Sequence, residues 1–182
     1  MSKIEIDTLI VCYHSEEKNI KMMNKQDIYD FLKEKGIRHE VTEHEAVFSM
    51  EELDRTDMPH KDCLAKNLFV RDDKKENHYL ITVKGERRVD LKEFRKEFGL
   101  RHLSFAPEED LLAFLGVHPG SVSPFGLLND GGCKVRFFID RGFFDDGGII
   151  GIHPNDNTAT VWMNVNDLLA VIKEYGNEIQ CI

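Results

Sequence analysis

The order of its predicted elements constrains the fold of this chain more than any other feature. Apolar residues recur at helical spacing in two segments, 24–36 and 164–176, and each segment begins at an asparagine and closes on a glycine. The stretch between them is rich in strand-forming residues, with strands predicted at 39–43, 64–70, 79–83, 103–105, 134–140, 149–152 and 158–163. Because strands and helices do not alternate regularly, this order predicts an α+β domain with a mixed or antiparallel sheet flanked by helices.

Three further helical segments are predicted inside the β-rich stretch. Segment 91–98 is closed by Gly99, segment 107–115 is closed by Gly116, and a third segment begins at Ser49 and ends near Pro59. A chain of 182 residues that is 41% hydrophobic can bury one sizeable core, so a single domain over residues 24–182 is expected. Residues 1–23 are predicted to form an extension, and their composition leaves open whether it is an extra strand, a flexible arm or the product of an upstream start codon.

Charge and cysteine content indicate the cellular setting. Four cysteines without a CxxC pair predict neither a disulfide framework nor a zinc knuckle, and the N-terminus does not resemble a secretion signal, so a reducing cytoplasm is expected. The apolar runs are too short or too interrupted to span a bilayer, so no membrane association is expected. A formal net charge of -9 argues against binding of nucleic acid over the whole surface. Any nucleic-acid contact must then be local.

One segment, from Lys84 to Arg101, is locally positive in this acidic chain. Four of its cations are candidate RNA contacts: Arg87, Arg88, Lys92 and Arg95. A solvated helix face with ion pairs inside the helix also explains this pattern, and on pattern alone it is the favoured interpretation. Both interpretations stay open at this point.

Familiar catalytic motifs are missing from the sequence. It contains no GxSxG, HExxH, GxxxxGK[ST] or GxGxxG pattern, and its scattered histidines form no ligand pair at helical spacing, so neither a metal nor a cofactor is expected. Cys133 follows two glycines and is interpreted as a small packing residue rather than a nucleophile. Three features remain: Lys66 with Asn67 in a predicted strand, the loop GVHPGSVSPFG at 116–126, and the segment GIHPNDNTATV at 151–161. From the residues alone, Lys66 could snorkel from a sheet edge and His153 could cap a turn.

These features together resemble the YbaK and prolyl-tRNA synthetase associated editing domain family. The resemblance rests on AKNLFVRD, YLITV, LGVHPGSVSPFGLLND and HPNDNTATV, and it extends over about residues 24–176. Within the family the chain is most similar to free-standing alanyl-tRNA(Pro) deacylases. The resemblance implies a partly barrel-like α+β fold that hydrolyses the ester of mischarged alanyl-tRNA(Pro) without a metal or cofactor. A cysteinyl-tRNA(Pro) deacylase and a non-catalytic tRNA-binding module of the same fold are the alternatives.

The resemblance also implies roles for individual residues. Lys66 matches the family's KN motif, Gly120 and Pro124 match its GxxxP loop, and His153 matches its later HP motif. Lys66, Gly120 and His153 are therefore the predicted catalytic residues. The predicted substrate-binding residues are Phe48, Asn67, His118, Pro119, Ser121, Ser123, Pro124 and Phe125. The expected partner is the acceptor end of tRNA(Pro) carrying alanine, with prolyl-tRNA synthetase or an elongation factor as a further candidate and DNA excluded.

These residue types suit hydrolysis of an activated ester. A glycine-bearing loop can turn backbone N–H groups toward the oxyanion that develops on the carbonyl oxygen. Lys66 supplies a compact cation for the phosphate of the terminal adenosine. The ribose hydroxyl beside the ester is expected to assist the attacking water, which requires RNA rather than DNA. A pocket that admits the methyl group of alanine but excludes the ring of proline would spare the correct product.

Overall fold

The computed structural model describes residues 22–46, 58–145 and 147–182. In these ranges the helices are α1 Lys25–Glu34, α2 Leu91–Glu97, α3 Glu108–Asp110 and α4 Val165–Tyr175. The strands are β1 His39–Glu43, β2 Ala65–Asp72, β3 His78–Lys84, β4 Leu103–Phe105, β5 Val135–Ile139, β6 Ile149–Ile152, β7 Ala159–Asn164 and β8 Ile179–Cys181. The helix predicted to start at Ser49 and almost all of the extension 1–23 lie outside the described residues. No helix within the described ranges is long and apolar enough to cross a membrane.

The strands form two sheets that meet at one point. The larger sheet has the order β4-β2-β3-β5-β8 and the smaller one the order β1-β7-β6. The β3–β5 and β5–β8 pairs are parallel, whereas the remaining pairs are antiparallel. A single parallel bridge between Leu64 and Gly151 joins the start of β2 to β6. The predicted α+β class with a mixed sheet is confirmed, and the described strands come together without closing into a barrel.

The larger sheet is buried on both faces. On one face, Phe69 of β2 joins a central cluster with Leu32 of α1, Val161 of β7 and Ile172 of α4. On the other face, a second cluster contains Val70, Ile81, Val83 and Phe138 beneath Phe94 of α2. Burial of both faces explains why β2 and β3 read as nearly continuous apolar runs rather than alternating ones. It also fixes the register, because a slip of one residue would exchange the two faces.

The terminal helices follow the predicted start and stop signals. The side chain of Asn24 accepts hydrogen bonds from the N–H groups of Gln26 and Asp27, and the Asp27 carboxylate accepts one from Asn24 N–H. Asn164 caps α4 through a side chain that accepts a hydrogen bond from Asn166 N–H, and Gly176 ends the helix with φ +101°. Both predicted helices are confirmed.

Segment 107–115 differs from the single α-helix predicted there. Only Glu108–Asp110 is α-helical, and Leu111–Leu115 forms a wider π-helical turn. The turn ends at Gly116, which has φ +65° and whose N–H contacts the carbonyls of both Leu111 and Leu112. The side-chain amide of Asn129 donates to the Leu115 carbonyl at 2.7 Å and so occupies an acceptor that a longer helix would use.

Substitution of Gly151 on β6 tests how tightly the Trp162 ring packs against this strand, which leads to His153. A Cβ atom at position 151 would lie 2.3 Å from Cζ3 of Trp162, a ring that is 3% exposed and donates from Nε1 to Thr42 Oγ1. We expect Gly151→Ala to lower the free energy of unfolding by about 1–3 kcal/mol, because the ring must move out of a packed site. Chemical denaturation measures this change. Gly132→Ala is the control, since the nearest atom there is the flexible Lys134 Cε at 3.1 Å, and an equal loss in both variants would contradict the explanation.

Candidate functional site

The glycine-rich loop is fastened to the sheet by Asn67. Its Nδ2 donates to the carbonyl of Val122 at 3.0 Å, across 55 residues of sequence. The orientation of this amide is fixed by Thr82, which is fully buried and whose Oγ1 donates to Asn67 Oδ1 at 2.7 Å. Thr82 pairs with Asn67 across the β2–β3 hairpin. Asn67, predicted to bind substrate, therefore holds the loop in place.

A second fastening runs through Ser123, which is fully buried. Its Oγ donates to the carbonyl of His153 at 2.5 Å and accepts from Phe125 N–H at 3.2 Å. Pro124 follows at the start of a 3-10 turn, where its fixed φ suits the first helical position. Ser123 and Pro124 thus tie the loop to the residue that follows β6. The Ser123 hydroxyl donates its hydrogen within the protein, so the structure gives it a positioning contact.

Gly120 occupies the turn at the exposed end of this loop. The N–H of Ser121 donates to the carbonyl of His118 at 3.0 Å, and Gly120 has φ +91°. Proline at the second position and a glycine of positive φ at the third are the features of a type II turn. The glycine is therefore required by the backbone conformation. Such a turn presents main-chain N–H groups at the surface beside the two fastening points.

His153 lies at the meeting point of β6 and the loop. Its Nδ1 contacts the Ala159 carbonyl at 2.9 Å, and a carbonyl can only accept, so we assign the proton to Nδ1 and the lone pair to Nε2. Burial lowers the pKa of His153, and the nearby His44 lowers it further, while the bond to Ala159 opposes this change. The two rings are 6.2 Å apart. At neutral pH this imidazole is consequently uncharged and offers one acceptor nitrogen.

The turn that follows His153 is tied to helix α1. Lys25 Nζ donates to Thr158 Oγ1 at 2.8 Å and to Glu43 Oε2 at 2.5 Å. Asn155 has φ +59°, and its Nδ2 donates to the Met23 carbonyl at 2.9 Å. These contacts hold the HPNDN turn against α1 and against Met23, which precedes it. His153 is therefore supported by α1, β7 and Ser123.

The bridge between Leu64 and Gly151 brings the start of β2, which carries Lys66, next to the end of β6, which His153 follows. Lys66 and His153 each lie two residues beyond this parallel bridge. Because side chains alternate along a strand, Lys66 points to the side on which Leu64 packs with Trp162. Lys66 is half-buried, and no hydrogen bond or ion pair of its ammonium group is present among the described residues. Its neighbour Asn67 leaves the opposite face and reaches the loop. The Cα atom of Lys66 therefore lies about 3.8 Å from that of Asn67, the residue whose side chain fastens the loop.

The other predicted substrate-binding residues have varied environments. His118 is exposed and its Nδ1 lies 3.0 Å from Glu108 Oε1, while Pro119 is exposed and Ser121 half-buried. Phe125 is fully buried in the central cluster, so its structural role is packing, and its role as a pocket wall stays a prediction. Phe48 lies outside the described residues.

The four predicted RNA contacts are not equivalent. Arg87 pairs with Asp140 at 2.7 Å. Burial raises the pKa of Asp140, but the hydrogen bonds from Arg87 and from the Gly142 N–H outweigh it, so the pKa is lowered. Arg88 and Lys92 are exposed, and Arg95 is half-buried. Of the four, Arg87 is thus used in a structural ion pair, whereas the other three have no ion pair within the described chain.

Two residues of the site were not predicted from the sequence. Thr82 lies inside an apolar strand, and His44 is separated from His153 by 109 positions, so neither carried a local signal. Cys133, expected to be a packing residue, is instead exposed, and its thiol donates to the Tyr175 carbonyl at 3.1 Å. Desolvation raises the pKa of this thiol and Asp130 raises it further, which disfavours the thiolate. In the described part of the chain, no group of three or more potential metal ligands is close enough to hold an ion.

The fold and site define an α+β domain in which a loop held by two long-range hydrogen bonds reaches β2, the strand that carries Lys66, and a neutral histidine after β6. The model of the aminoacyl-tRNA editing domain family matches residues 44–171, and the chain belongs to this family. The family prediction is confirmed, and with it the prediction of an aminoacyl-tRNA deacylase at the level of the family.

Individual relatives agree with this assignment. The chain is 37% identical over 158 residues to the prolyl-tRNA editing protein ProX of Acetoanaerobium sticklandii, covering 87% of this chain and 96% of the relative. It is 37% identical over 150 residues to the prolyl-tRNA synthetase associated domain-containing protein 1 of Mus musculus, covering 79% and 86% of the two chains. A solved structure of a proposed trans-editing enzyme for prolyl-tRNA synthetase has a TM-score of 0.65 at 19% identity, covering 86% and 94%. That similarity shows the fold.

Proposed function

We propose that this protein acts in the cytoplasm as a trans-editing enzyme that hydrolyses mischarged alanyl-tRNA(Pro). Prolyl-tRNA editing is supported by the family and by the relative named as a prolyl-tRNA editing protein. The observation that carries the proposal is the double fastening of the loop, by Asn67 to Val122 and by Ser123 to His153. These two hydrogen bonds fix the loop against Asn67, the neighbour of Lys66 on β2, and against the backbone of His153.

The reaction needs placement more than reactive side chains. Water attacks the ester carbonyl carbon, and its oxygen becomes part of the carboxyl group of the released alanine. The bond between that carbon and the ribose oxygen breaks, and one water proton passes to this oxygen, which leaves as the ribose hydroxyl. Backbone N–H groups of the loop stabilise the oxyanion, a contribution of about 3–4 kcal/mol for one well-placed donor. Holding ester and water together can supply roughly 7–11 kcal/mol in well-oriented systems. No covalent enzyme intermediate is required.

Lys66 and His153 have different tasks in this proposal. The Lys66 ammonium binds the phosphate of the terminal adenosine and so fixes the ester against the loop. The Nε2 lone pair of His153 accepts a hydrogen bond from the attacking water, because Nδ1 is committed to Ala159. The pocket then selects by size, rejecting the proline ring while separating alanine from similarly small side chains by only about 1–3 kcal/mol.

Deacylation of four substrates tests the proposed function. tRNA(Pro) is charged separately with labelled alanine, cysteine, serine and proline, and each is incubated with the purified protein. We expect rapid loss of label from the alanyl form and retention of label on the prolyl form. Preferential loss from the cysteinyl form would replace alanine by cysteine as the substrate, and retention on all four would indicate a tRNA-binding module without turnover.

The pH dependence of the rate tests the role of His153. Since its pKa is lowered, the imidazole stays neutral below the ordinary value of about 6.5, and kcat/KM should decline only at more acidic pH. We expect His153→Gln to lower kcat/KM by about 100-fold and to remove this acid limb. An unchanged limb in the variant would assign it to another group.

Stability must be measured in the same pH range. The unfolded imidazole takes up its proton at a higher pH than the folded one, so the unfolded state binds more protons and acidification below about pH 6.5 also weakens the fold. Thermal unfolding at each pH separates this loss from the loss of activity.

A further inference from the structure

A cationic cavity lies between α2 and the start of β4, away from the Lys66 site. It has a volume of about 310 Å³ and is lined by Asp90, Leu91, Lys92, Arg95, His102 and Leu103. The Nε atom of Arg95 is buried and has no hydrogen-bond partner among the described residues. A buried donor without a partner is costly, so this arrangement favours a ligand that supplies an acceptor.

The two cations that line this cavity have no ion pair in the described chain, whereas two cations next to it do. Lys96 pairs with Glu93 at 2.7 Å, and Arg101 pairs with Asp73 at 3.3 Å. Within the described chain, Lys92 and Arg95 have no such ion pair. Asp90 is the single acidic residue in the described lining, and its carboxylate accepts from the N–H groups of Lys92 and Glu93 as the cap of α2.

The cavity lies on the same face of the larger sheet as Lys66. Lys66 shares a face of β2 with Leu68 and Val70, and these two residues belong to the cluster on which α2 packs. Leu103 pairs with Asp72, six positions beyond Lys66 on β2, which corresponds to about 20 Å at 3.3 Å per residue. A stacked nucleic-acid strand advances about 3.4 Å per nucleotide. The cavity is thus about six stacked nucleotides from Lys66.

From this placement we infer that the Lys92–Arg95 cavity binds a backbone phosphate of the tRNA acceptor arm while its 3′ end occupies the Lys66 site. This inference rests on the proposed function, because that function supplies tRNA as the ligand. Arg95 offers N–H donors to the phosphate oxygens, and Lys92 adds a second positive charge. The contact contributes affinity without reading sequence.

Binding of uncharged tRNA(Pro) to the full chain tests this inference without requiring turnover. Affinity is measured over a series of KCl concentrations for the wild type, Lys92→Glu and Lys92→Glu/Arg95→Glu. Lys92 is exposed, so the single variant leaves the packing unchanged. We expect it to weaken binding about tenfold at low salt and to reduce the slope of log affinity against log salt by about 1, with a larger effect in the double variant.

Lys96→Glu is the matched control, because it makes the same charge change on the same helix at a residue outside the cavity lining. We expect its affinity to stay within about twofold of the wild type. Equal losses in Lys92→Glu and Lys96→Glu, or no loss in Lys92→Glu, would overturn the inference.

A one-nucleotide substrate separates this cavity from the ester site. Hydrolysis of the 3′-alanyl ester of adenosine 5′-monophosphate should be the same in the wild type and Lys92→Glu, since one nucleotide cannot span about 20 Å. A lower rate in the variant would place Lys92 in the ester site and overturn the inference. Weaker tRNA binding by Lys92→Glu supports the cavity even if no ester is hydrolysed, so failure of the proposed function is recognised separately.

Discussion

Lys66→Ala should lower kcat/KM for alanyl-tRNA(Pro) by about 100-fold or more, the loss associated with removing one charge-assisted contact of roughly 3 kcal/mol. The Lys66 ammonium group has no hydrogen-bond or ion-pair partner among the residues that the structure describes. Lys66 also directly precedes Asn67, whose side chain fastens the loop. Without the ammonium group the ester is held less firmly, so the rate at saturating substrate should fall together with the affinity. Single-turnover deacylation measures both.

Two controls separate this effect from a loss of structure. Because Lys66 makes no described polar contact, Lys66→Ala should keep the thermal unfolding midpoint of the wild type within about 2 °C. Lys134→Ala removes an exposed lysine near the start of β5 and should retain the wild-type rate. A full rate in Lys66→Ala would show that the phosphate anchor lies elsewhere.

Gly120→Ala should reduce deacylation by about 100-fold as well, for a reason that lies in the backbone. At φ +91° a side chain is strained by about 1–3 kcal/mol, so the turn from His118 to Ser121 should relax and its N–H groups should leave the oxyanion position. The chemical step measured in single turnovers should fall, while tRNA affinity changes little because the phosphate contacts remain.

Gly36→Ala is the matched control for backbone strain. Gly36 also has positive φ, +67°, and no atom lies within 4 Å of a Cβ placed there, but it follows α1 at a distance from the loop. It should lose about 1 kcal/mol of stability and keep its activity. Equal loss of activity in both variants would mean that strain, rather than the position of the loop, determines the rate.

The sequence predicts those parts of the fold whose signals are local. An asparagine cap and apolar residues at helical spacing define α1, which begins after Asn24, within a few residues. The same kind of spacing, closed by Gly176, defines α4. The β2–β3 hairpin is predicted equally well, since both strands are buried on both faces and a polar turn joins them. Strand β8 was missed because its three residues, Ile179–Cys181, lack a pattern and are defined by their pairing with β5.

The arrangement of the site depends on contacts that no local pattern encodes. Ser123 meets His153 across 30 positions, and Asn67 meets Val122 across 55. The family resemblance predicted Asn67 and Ser123 as substrate-binding residues, and that role stays a prediction. Their contacts to the loop and to His153 join residues far apart in the sequence, so no local pattern could have predicted them.

Gly151 illustrates the same difference. In the sequence it is one residue of GIHP, whereas in the structure it makes room for the Trp162 ring beneath β6. That packing holds the strand leading to His153, so a glycine without any chemical function supports the geometry of the site.

The most direct test of the main-chain cradle is a crystal structure with a hydrolysis-resistant ligand, 3′-alanylamino-3′-deoxyadenosine 5′-monophosphate. The amide carbonyl oxygen should lie within about 3.1 Å of a backbone nitrogen in the loop 118–123, with the Lys66 ammonium on the phosphate. A carbonyl oxygen bound by side chains alone, or lying away from this loop, would contradict the account.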